Sequence, residues 1–188
     1  MRKEILALII AALLAVPVVF PASGAAAPPQ DPKRQRSEEK YREKLIKEVR
    51  HQLVLLPWYS VFDNLTFQVE GDKVTVSGQV TRPTLKSDAE AAVKSIEGVA
   101  SVVNNIEVLP LSPIDDQIRR AVYRAIYGDP GLSRYSIQAV PSIHIIVKNG
   151  NVTLEGAVDN EGDKNLANLR ASQVPNVFSV KNNLVVAS

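Results

Sequence analysis

The chain has 188 residues, of which 45% are hydrophobic and 22% are charged, values typical of globular domains and not of a disordered chain. The formal net charge of only +2 argues against nucleic acid as a partner recognised by bulk electrostatics. The chain contains no cysteine, which excludes disulfides, thiolate metal sites, cysteine nucleophiles and the acylated cysteine of a lipoprotein.

Residues 1–27 have the pattern of an export signal. Two basic residues, Arg2 and Lys3, precede an apolar run over residues 5–20, and a stretch of small residues that ends at Ala27 forms a cleavage site. The run is shorter than the roughly 20 residues that span a bilayer. We therefore expect cleavage near Ala27 and a periplasmic protein that is peripheral to the membrane, with an uncleaved anchor as the alternative.

Residues 28–40 combine proline with charge, a composition typical of an extended tether. Eight lysines and arginines and five acidic residues lie within residues 31–50. Two interpretations of this basic excess are open: contact with anionic lipid or another acidic surface, or the solvated start of a helix.

The remainder of the chain contains an internal repeat. A single displacement of 78 residues relates three pairs of segments: 65–69 and 143–147, 74–80 and 152–158, and 102–106 and 180–184. Three separated segments that share one displacement indicate a duplicated unit. We therefore predict two domains, residues 41–109 and 114–188, joined by a linker over residues 110–113.

The first unit begins with a predicted helix followed by a β-hairpin. Apolar residues recur every four positions on one helix face, at Leu45, Val49 and Leu53, and Pro57 ends this helix. The two alternating segments that follow are typical of paired strands. Gly78 lies inside the second strand, and we expect a bulge or the close approach of a helix there. Gly156 is the corresponding motif glycine of the second unit.

A second helix and a last strand complete the unit. Ser87 and Glu90 have the spacing of a capping box, so the helix is predicted to begin at Ser87, and Gly98 is placed to end it. Residues 99–108 then form a strand. Each unit is therefore predicted to have the order α-β-β-α-β, an α+β fold with a small mixed three-stranded sheet and two helices on one face.

Three aromatic residues, Trp58, Tyr59 and Phe62, follow the first helix of the first unit. They can form the lid of a small core or a platform on which a ligand such as a sugar ring stacks, and both interpretations are open.

The second unit differs from the first by an insertion. Its first helix, predicted to start at Asp115 or Asp116, repeats the apolar positions of the first unit at a displacement of only 73, so the following connection is five residues longer. This connection, residues 127–141, has the composition of an exposed loop. Inserted loops on a repeated scaffold are common positions for a specific function.

Arginine and tyrosine alternate on this helix and loop, and together they form the candidate lipid- or partner-binding cluster: Arg119, Arg120, Tyr123, Arg124, Tyr127, Arg134 and Tyr135. Guanidinium groups form paired hydrogen bonds with phosphate, and tyrosine side chains are common at the membrane–water interface, so the combination suits an anionic headgroup. The other interpretation is that the tyrosines cover the core and the arginines solubilise the helix.

No pattern of catalytic or metal-binding residues is found. His51 and His144 are the only histidines, and neither has neighbouring ligands in sequence; His144 is expected to point outward from its strand. Neither repeat contains a nucleophile elbow, a phosphate-binding glycine loop or a zinc motif. We therefore expect a non-enzymatic protein without cofactor or metal.

With the repeats aligned, the chain resembles tandem BON-domain proteins (bacterial osmotic-stress and nodulation domain) over residues 41–109 and 115–187. The residues that carry the resemblance are 74–78, 98–99 and 102–106 in the first unit, and 152–156, 177 and 180–184 in the second. The chain departs from the family pattern at Asn176, which replaces the helix-ending glycine, and at the five-residue insertion.

This resemblance implies a protein of the periplasm that associates with phospholipid membranes or envelope proteins and supports envelope or osmotic-stress tolerance. In the dual-BON lipoproteins that the chain resembles, lipid contact maps to the first helix of the second domain, which corresponds to residues 115–127 here. Two alternatives remain: an adaptor that docks a protein partner through a sheet edge or the aromatic connection around Trp58, and a module that binds cell-wall polysaccharide.

Overall fold

A computed structural model describes residues 32–138 and 140–187; the expected export signal over residues 1–27 lies outside them. The first unit contains α1 (Pro32–Val54), β1 (Asn64–Glu70), β2 (Lys73–Val80), α2 (Pro83–Lys94) and β3 (Ser101–Val108). The second contains α3 (Pro113–Tyr127), a 3₁₀ helix (Ser133–Ser136), β4 (Ile143–Lys148), β5 (Asn151–Val158), α4 (Glu161–Ser172), β6 (Ser179–Asn182) and β7 (Val185–Val186). Among these described residues, no helix is both long and apolar enough to cross a membrane.

Each unit has one mixed sheet, which confirms the predicted α+β fold. In the first unit the order is β1-β2-β3, with β1 antiparallel and β3 parallel to β2. In the second unit β4 is antiparallel to β5, and β6 and β7 both pair with β5 in parallel. The single last strand that was predicted for the second unit is thus divided into two, and its sheet has four strands instead of three.

Each sheet packs with its two helices around its own hydrophobic core. The core of the first unit contains the predicted helix face of α1, together with Val74 and Val76 from β2 and Ala89 and Val93 from α2. The core of the second unit contains the equivalent elements, and in addition Val61 from the first unit. The two units are therefore joined by a shared core residue as well as by the linker.

The paired asparagines of the repeat have a structural role at the sheet–helix contact. Asn104 donates its side-chain amide to the carbonyl of Lys86, and its Oδ1 accepts from the N–H of Ile106. Asn182 makes the same two hydrogen bonds, to Lys164 and from Leu184. Each of these two asparagines, the first of its Asn-Asn pair, fastens the last strand to the second helix of its unit.

The described part of the predicted extended tether is helical, since α1 already begins at Pro32. Proline has the backbone angle of a first helical turn, and its missing N–H has no partner to lose there. An ion pair between Arg34 and Glu38, one turn apart, adds support to this exposed segment. The prediction of an extended tether over residues 28–40 is therefore wrong from Pro32 onward.

The helix starts also differ from the prediction. Proline again occupies the first turn of α2, with Arg82 at the N-cap, so Ser87 lies inside the helix, where its hydroxyl donates to the carbonyl of Thr84. The helix α3 starts at Pro113 rather than at either aspartate, because Ser112 caps it by accepting from the N–H of Asp115. In both helices the observed start has a proline in the first turn, and the polar residues that suggested a later start lie inside the helix.

The motif glycines permit close contacts that a side chain would prevent. A Cβ atom at Gly78 would lie 2.0 Å from the carbonyl oxygen of Asn64, and one at Gly156 would lie 2.0 Å from that of Ser142. The group that approaches is the backbone at the start of the neighbouring strand, at Asn64 of β1 and just before β4 at Ser142. Neither a bulge nor a helix, the two expected alternatives, accounts for Gly78, which pairs in continuous register. Gly98 does not end α2, which stops at Lys94; it occupies the following turn with a φ of +94°.

Candidate functional site

The helix α3 carries the centre of the predicted arginine–tyrosine cluster. Its apolar positions, Ile118, Val122 and Ile126, are buried in the core of the second unit. Arg120 and Arg124 lie one turn apart on the exposed side of the helix. Neither of these two arginines makes an ion pair or a side-chain hydrogen bond within residues 32–138 and 140–187.

Arg119 belongs to the core and not to the exposed surface. Only 5% of the residue is exposed. One guanidinium nitrogen donates to the carbonyl of Val147 over 2.7 Å, and another pairs with Asp116. Arg119 therefore fastens α3 to β4, and it is not free to bind a headgroup as the sequence pattern had suggested.

The tyrosines of α3 are also structural. The hydroxyl of Tyr127 donates to the carbonyl of Ile143 over 2.6 Å, and burial raises the pKa of this phenol well above its ordinary value. Tyr123 is half-buried between Tyr127 and Phe62, with ring centroids 4.8 Å and 6.1 Å away. The interpretation that the tyrosines cover the core is the one that these contacts favour.

The inserted connection is folded onto the second unit, contrary to the expectation of an exposed loop. Leu132 is fully buried, and Tyr135 is 7% exposed. The hydroxyl of Tyr135 donates to Asp163 and accepts from the N–H of Asp159. Arg134 pairs with both aspartates, and its hydrogen bond to Asp159 raises its pKa. Arg134 and Tyr135 therefore hold the loop in place.

A shallow groove of about 490 Å³ runs between α3 and the C-terminal end of α4. Arg124 and Arg170 line it, and Arg120 lines an adjoining depression together with Pro175 and Asn176. The charge of Arg170 is compensated by Asp129, to which its guanidinium donates over 2.7 Å. The N–H of Gly131 and this guanidinium lower the pKa of the Asp129 carboxyl. The uncompensated charge of the groove thus comes from the two exposed arginines of α3.

Two exposed aliphatic residues lie at the start of the same helix. Leu111 is 96% exposed in the linker and Ile114 is 63% exposed in the first turn of α3. The arrangement places free guanidinium groups and free apolar side chains on one helix and its entry. Sequence reasoning did not identify these two residues, although their position beside the cluster was a usable signal.

The three aromatic residues after α1 do not form one platform. Trp58 is 69% exposed, and the guanidinium of Arg82 lies 4.8 Å from its ring centre. Tyr59 packs against His144 at 5.8 Å, and burial raises its pKa to about 12. Because Phe62 contacts Tyr123, the lid interpretation holds for Tyr59 and Phe62, whereas Trp58 stays exposed with Arg82 over its ring.

His144 lies between the two units and is only partly exposed. Its Nδ1 lies 2.6 Å from the carbonyl oxygen of Asp63, and burial lowers its pKa. One residue further on, the N–H of Ile145 donates to the carbonyl of Val61 over 2.8 Å. The connection over residues 60–63 is therefore laid along the edge of β4. The sequence did not predict this contact between the units, because the apolar character of Val61 and Phe62 does not indicate which of the two cores they enter.

Each half of the chain matches the same family. A family model described as BON domain matches residues 43–110 and 114–188. Two solved structures of CdsD, described as a structural protein of the type III secretion system of Chlamydia trachomatis, are similar at 14% identity and a TM-score of 0.28. The matches cover 77% of this chain, with 98% of the first structure, a C-terminal domain, and 94% of the second. None of the curated proteins compared with the chain matches it.

Proposed function

The chain belongs to the BON domain family, with one domain in each half, and from this premise we propose that it is a non-enzymatic protein of the cell envelope that binds anionic phospholipid. BON domains are associated with the binding of membrane phospholipid. The surface that we assign to this role consists of Arg120, Arg124, Leu111 and Ile114, and it is called the α3 surface below. Residence in the periplasm and a contribution to envelope or osmotic-stress tolerance belong to the same proposal.

The observation that carries the proposal is the state of the two exposed arginines. Every other arginine of the predicted cluster is engaged with a carboxylate or a backbone carbonyl, whereas Arg120 and Arg124 make no such contact among the described residues. Guanidinium binds phosphate oxygens through two parallel hydrogen bonds, and residues one helical turn apart are about 5–6 Å from each other. The pair can therefore hold one phosphate from two sides or two neighbouring headgroups.

The exposed aliphatic residues favour a lipid surface over a free phosphate. Leu111 and Ile114 are exposed among the described residues, and insertion between headgroups would remove their side chains from water. A helix that presents cations and a few apolar side chains is typical of peripheral attachment at the membrane interface. Such attachment combines electrostatic attraction with a small area of apolar burial.

Co-sedimentation with vesicles tests this proposal. Residues 28–188, which contain both hydrophobic cores without the N-terminal apolar run, are mixed with phosphatidylglycerol-containing vesicles and with phosphatidylcholine vesicles. Each basic residue near an anionic surface contributes about 1 kcal/mol, so Arg120→Ala combined with Arg124→Ala should weaken binding about 30-fold. Binding should also fall between about 0.1 M and about 1 M salt, where the Debye length shrinks from about 10 Å to about 3 Å.

The chain offers a matched control on the other unit. Lys44 and Lys47 are exposed on α1, and the displacement of 73 places Lys47 at the position of Arg120. Lys44→Ala combined with Lys47→Ala removes the same charge from the corresponding helix and should leave vesicle binding nearly unchanged. Equal losses in the two double variants, or sedimentation with neutral vesicles alone, would contradict an assignment to the α3 surface.

A further inference from the structure

The outer edge of β4 in the second unit is closed by three hydrogen bonds. Tyr127 donates to the carbonyl of Ile143, and Arg119 donates to that of Val147. Between them, the N–H of Ile145 donates to Val61 of the first unit. These contacts satisfy one outward-facing backbone group on each of three alternate residues and cover the edge with side chains, so this edge is closed to a further strand.

The equivalent edge of the first unit lacks donors from its helix, and among the residues that the structure describes only Tyr59 of the following connection bonds it, at the backbone of Leu65. The displacement of 73 places Ile46 and Val54 of α1 at the positions of Arg119 and Tyr127, and neither side chain can donate a hydrogen bond. Glu70 and Lys73 pair across a two-residue turn, so the alternation of an antiparallel ladder directs the N–H of Phe67 outward. Phe67 is the counterpart of Ile145 at the displacement of 78.

A groove lies between α1 and this edge. Its volume is about 430 Å³, and its apolar lining includes Ile46, Leu53, Leu65 and Phe67. In the second unit, Val61 is buried in the corresponding place, between α3 and β4, and Phe62 packs beside it on Tyr123. The second unit thus shows what fills such a groove: a turn, closed by the N–H of Asp63 on the carbonyl of Ser60, that presents two adjacent apolar side chains.

The rim of the first unit's groove is basic. Arg42 and Arg50 of α1 line it, both are exposed, and neither makes an ion pair within residues 32–138 and 140–187. Among the residues that the structure describes, no acidic side chain lines this groove. The charge complementary to this rim is that of carboxylates.

We propose that the groove between α1 and β1 is a docking site for an extended, acidic segment of a partner protein. The segment adds to the edge of β1 as a further strand, bonds to the N–H of Phe67, and inserts apolar side chains between Ile46 and Phe67. Backbone hydrogen bonds provide affinity in this mode of recognition and side-chain pockets provide specificity. The site lies on the first domain, so it is separate from the α3 surface proposed for lipid.

A synthetic peptide tests this site on the chain from residue 28. The probe is a fluorescein-labelled peptide with the sequence of residues 58–64, which includes the segment that occupies the second groove, flanked on each side by two glutamates. A second probe has lysines at the flanks. In fluorescence anisotropy we expect the acidic probe to bind at least about 10-fold more tightly than the basic probe, because of Arg42 and Arg50.

Two variants locate the binding. Ile46→Arg combined with Val54→Tyr transfers the closing residues of the second unit into the first, and it should weaken binding of the acidic probe at least about 10-fold. Arg42→Ala combined with Arg50→Ala alters only exposed side chains, so it tests the rim even where the first variant perturbs folding, as judged by circular dichroism. The Lys44→Ala, Lys47→Ala variant is the charge-matched control and should bind like wild type.

Three results would overturn the proposal. The first is the absence of saturable binding of the acidic probe to the wild type. The second is equal affinity of the rim variant and the charge-matched control. The third is concentration-dependent dimerisation in analytical ultracentrifugation that the Ile46→Arg, Val54→Tyr variant abolishes, since this would show that a second copy of the chain occupies the groove. Failure of vesicle binding would leave this site unaffected, because the two tests use different surfaces.

Discussion

The two units share one fold, but they treat the free edge of their sheets in opposite ways. On β4, Arg119 and Tyr127 reach across from α3 to bond the edge, and the connection from the first unit fills what remains. On β1, the corresponding helix presents Ile46 and Val54, and a groove stays open. In a duplicated fold, a few residues on one helix can therefore decide whether a sheet edge is bonded within the chain or left open to a partner.

The position of the free cations differs in the same way. In the second unit the uncompensated arginines, Arg120 and Arg124, lie beside the groove between its two helices. In the first unit Arg42 and Arg50 lie beside the groove between helix and sheet edge. The proposed lipid and protein contacts thus use different faces of the repeated unit. Four sets of substitutions test how the two units differ in packing and stability.

The largest effect is expected from the strand glycines. Gly78→Ala and Gly156→Ala each place a Cβ 2.0 Å from a backbone carbonyl, at φ values of +122° and +110°. We expect each to lower the free energy of unfolding by about 3 kcal/mol in a urea titration. Gly71→Ala is the control: it has positive φ but no atom within 4 Å, so its cost should be about 1 kcal/mol.

The glycine pair also tests how tightly the units are coupled. If the shared core residue Val61 makes them a single cooperative body, both variants should shift one common transition. Two separate transitions, each moved by only its own glycine, would show that the contact between the units is too weak to couple them. A Gly156→Ala cost no larger than that of Gly71→Ala would contradict the close approach itself.

The second effect concerns the closed edge. Arg119→Leu removes the donor to Val147 and leaves that carbonyl buried without a partner, so we expect the free energy of unfolding to fall by about 2 kcal/mol. Hydrogen exchange should accelerate along β4. Ile46→Leu, the matched change at the equivalent apolar position of α1, should cost less than about 1.5 kcal/mol. If Arg119 were instead an exposed side chain, Arg119→Leu would leave the free energy of unfolding and the hydrogen-exchange rates of β4 near the wild-type values.

The third effect concerns the contact between units. Val61→Ala removes two methyl groups from the second core although the residue belongs to the first unit, an expected loss of about 1.5 kcal/mol. The N–H of Ile145, which donates to Val61, should lose protection from hydrogen exchange before the N–H groups of β1 do. Val185→Ala, at a position that is 65% exposed, serves as the control and should change little.

The smallest effect is a pH dependence at His144. Burial lowers its pKa below the ordinary value of 6.5, so the unfolded chain binds the proton more readily than the folded one. Its contribution to stability is therefore complete above about pH 6.5 and is lost as the pH falls from there toward the lower pKa of the folded state. Asp63 and Glu155 act in the opposite direction, which limits the size of the shift.

His144→Gln should flatten the pH dependence of the melting temperature in this window. The change is measured as the difference between variant and wild-type curves, so that the carboxylates common to both cancel. His51→Gln, at an exposed position of α1, should leave the curve unchanged. A wild-type curve that His144→Gln leaves unaltered would place the ring in solvent and contradict the contact with Asp63.

The repeat made the fold predictable, because alternation and helical spacing report directly which residues face a core. Leu45 and Ile118 were placed correctly by this logic, as were the hairpins. The site was less predictable. Arg119 has the same chemistry as Arg120, and only the position of the carbonyl of Val147 in space distinguishes a buried clamp from a free cation.

Partners that lie far apart in sequence were the main source of error. Asp115 looked like a helix-start charge, yet its carboxylate accepts from the N–H groups of Asn149 and Gly150 and fixes the turn between β4 and β5. The insertion looked like an exposed loop because its glycines and prolines are typical of turns. Leu132 and Tyr135 became core residues through a contact with α4 that no local pattern encodes.

The connection that crosses between the units also imposes an order on synthesis. His144 follows Asp63 by 81 residues, and at roughly 5–20 residues per second a ribosome needs about 4–16 s to make that interval. The rest of the first domain, through residue 109, is made within that interval. From then until β4 is made, the domain can fold, but Val61 and Phe62 lack the surface that will cover them. The nascent chain therefore exposes two adjacent apolar side chains until β4 is made, and exposed apolar surface of this kind favours association with other chains.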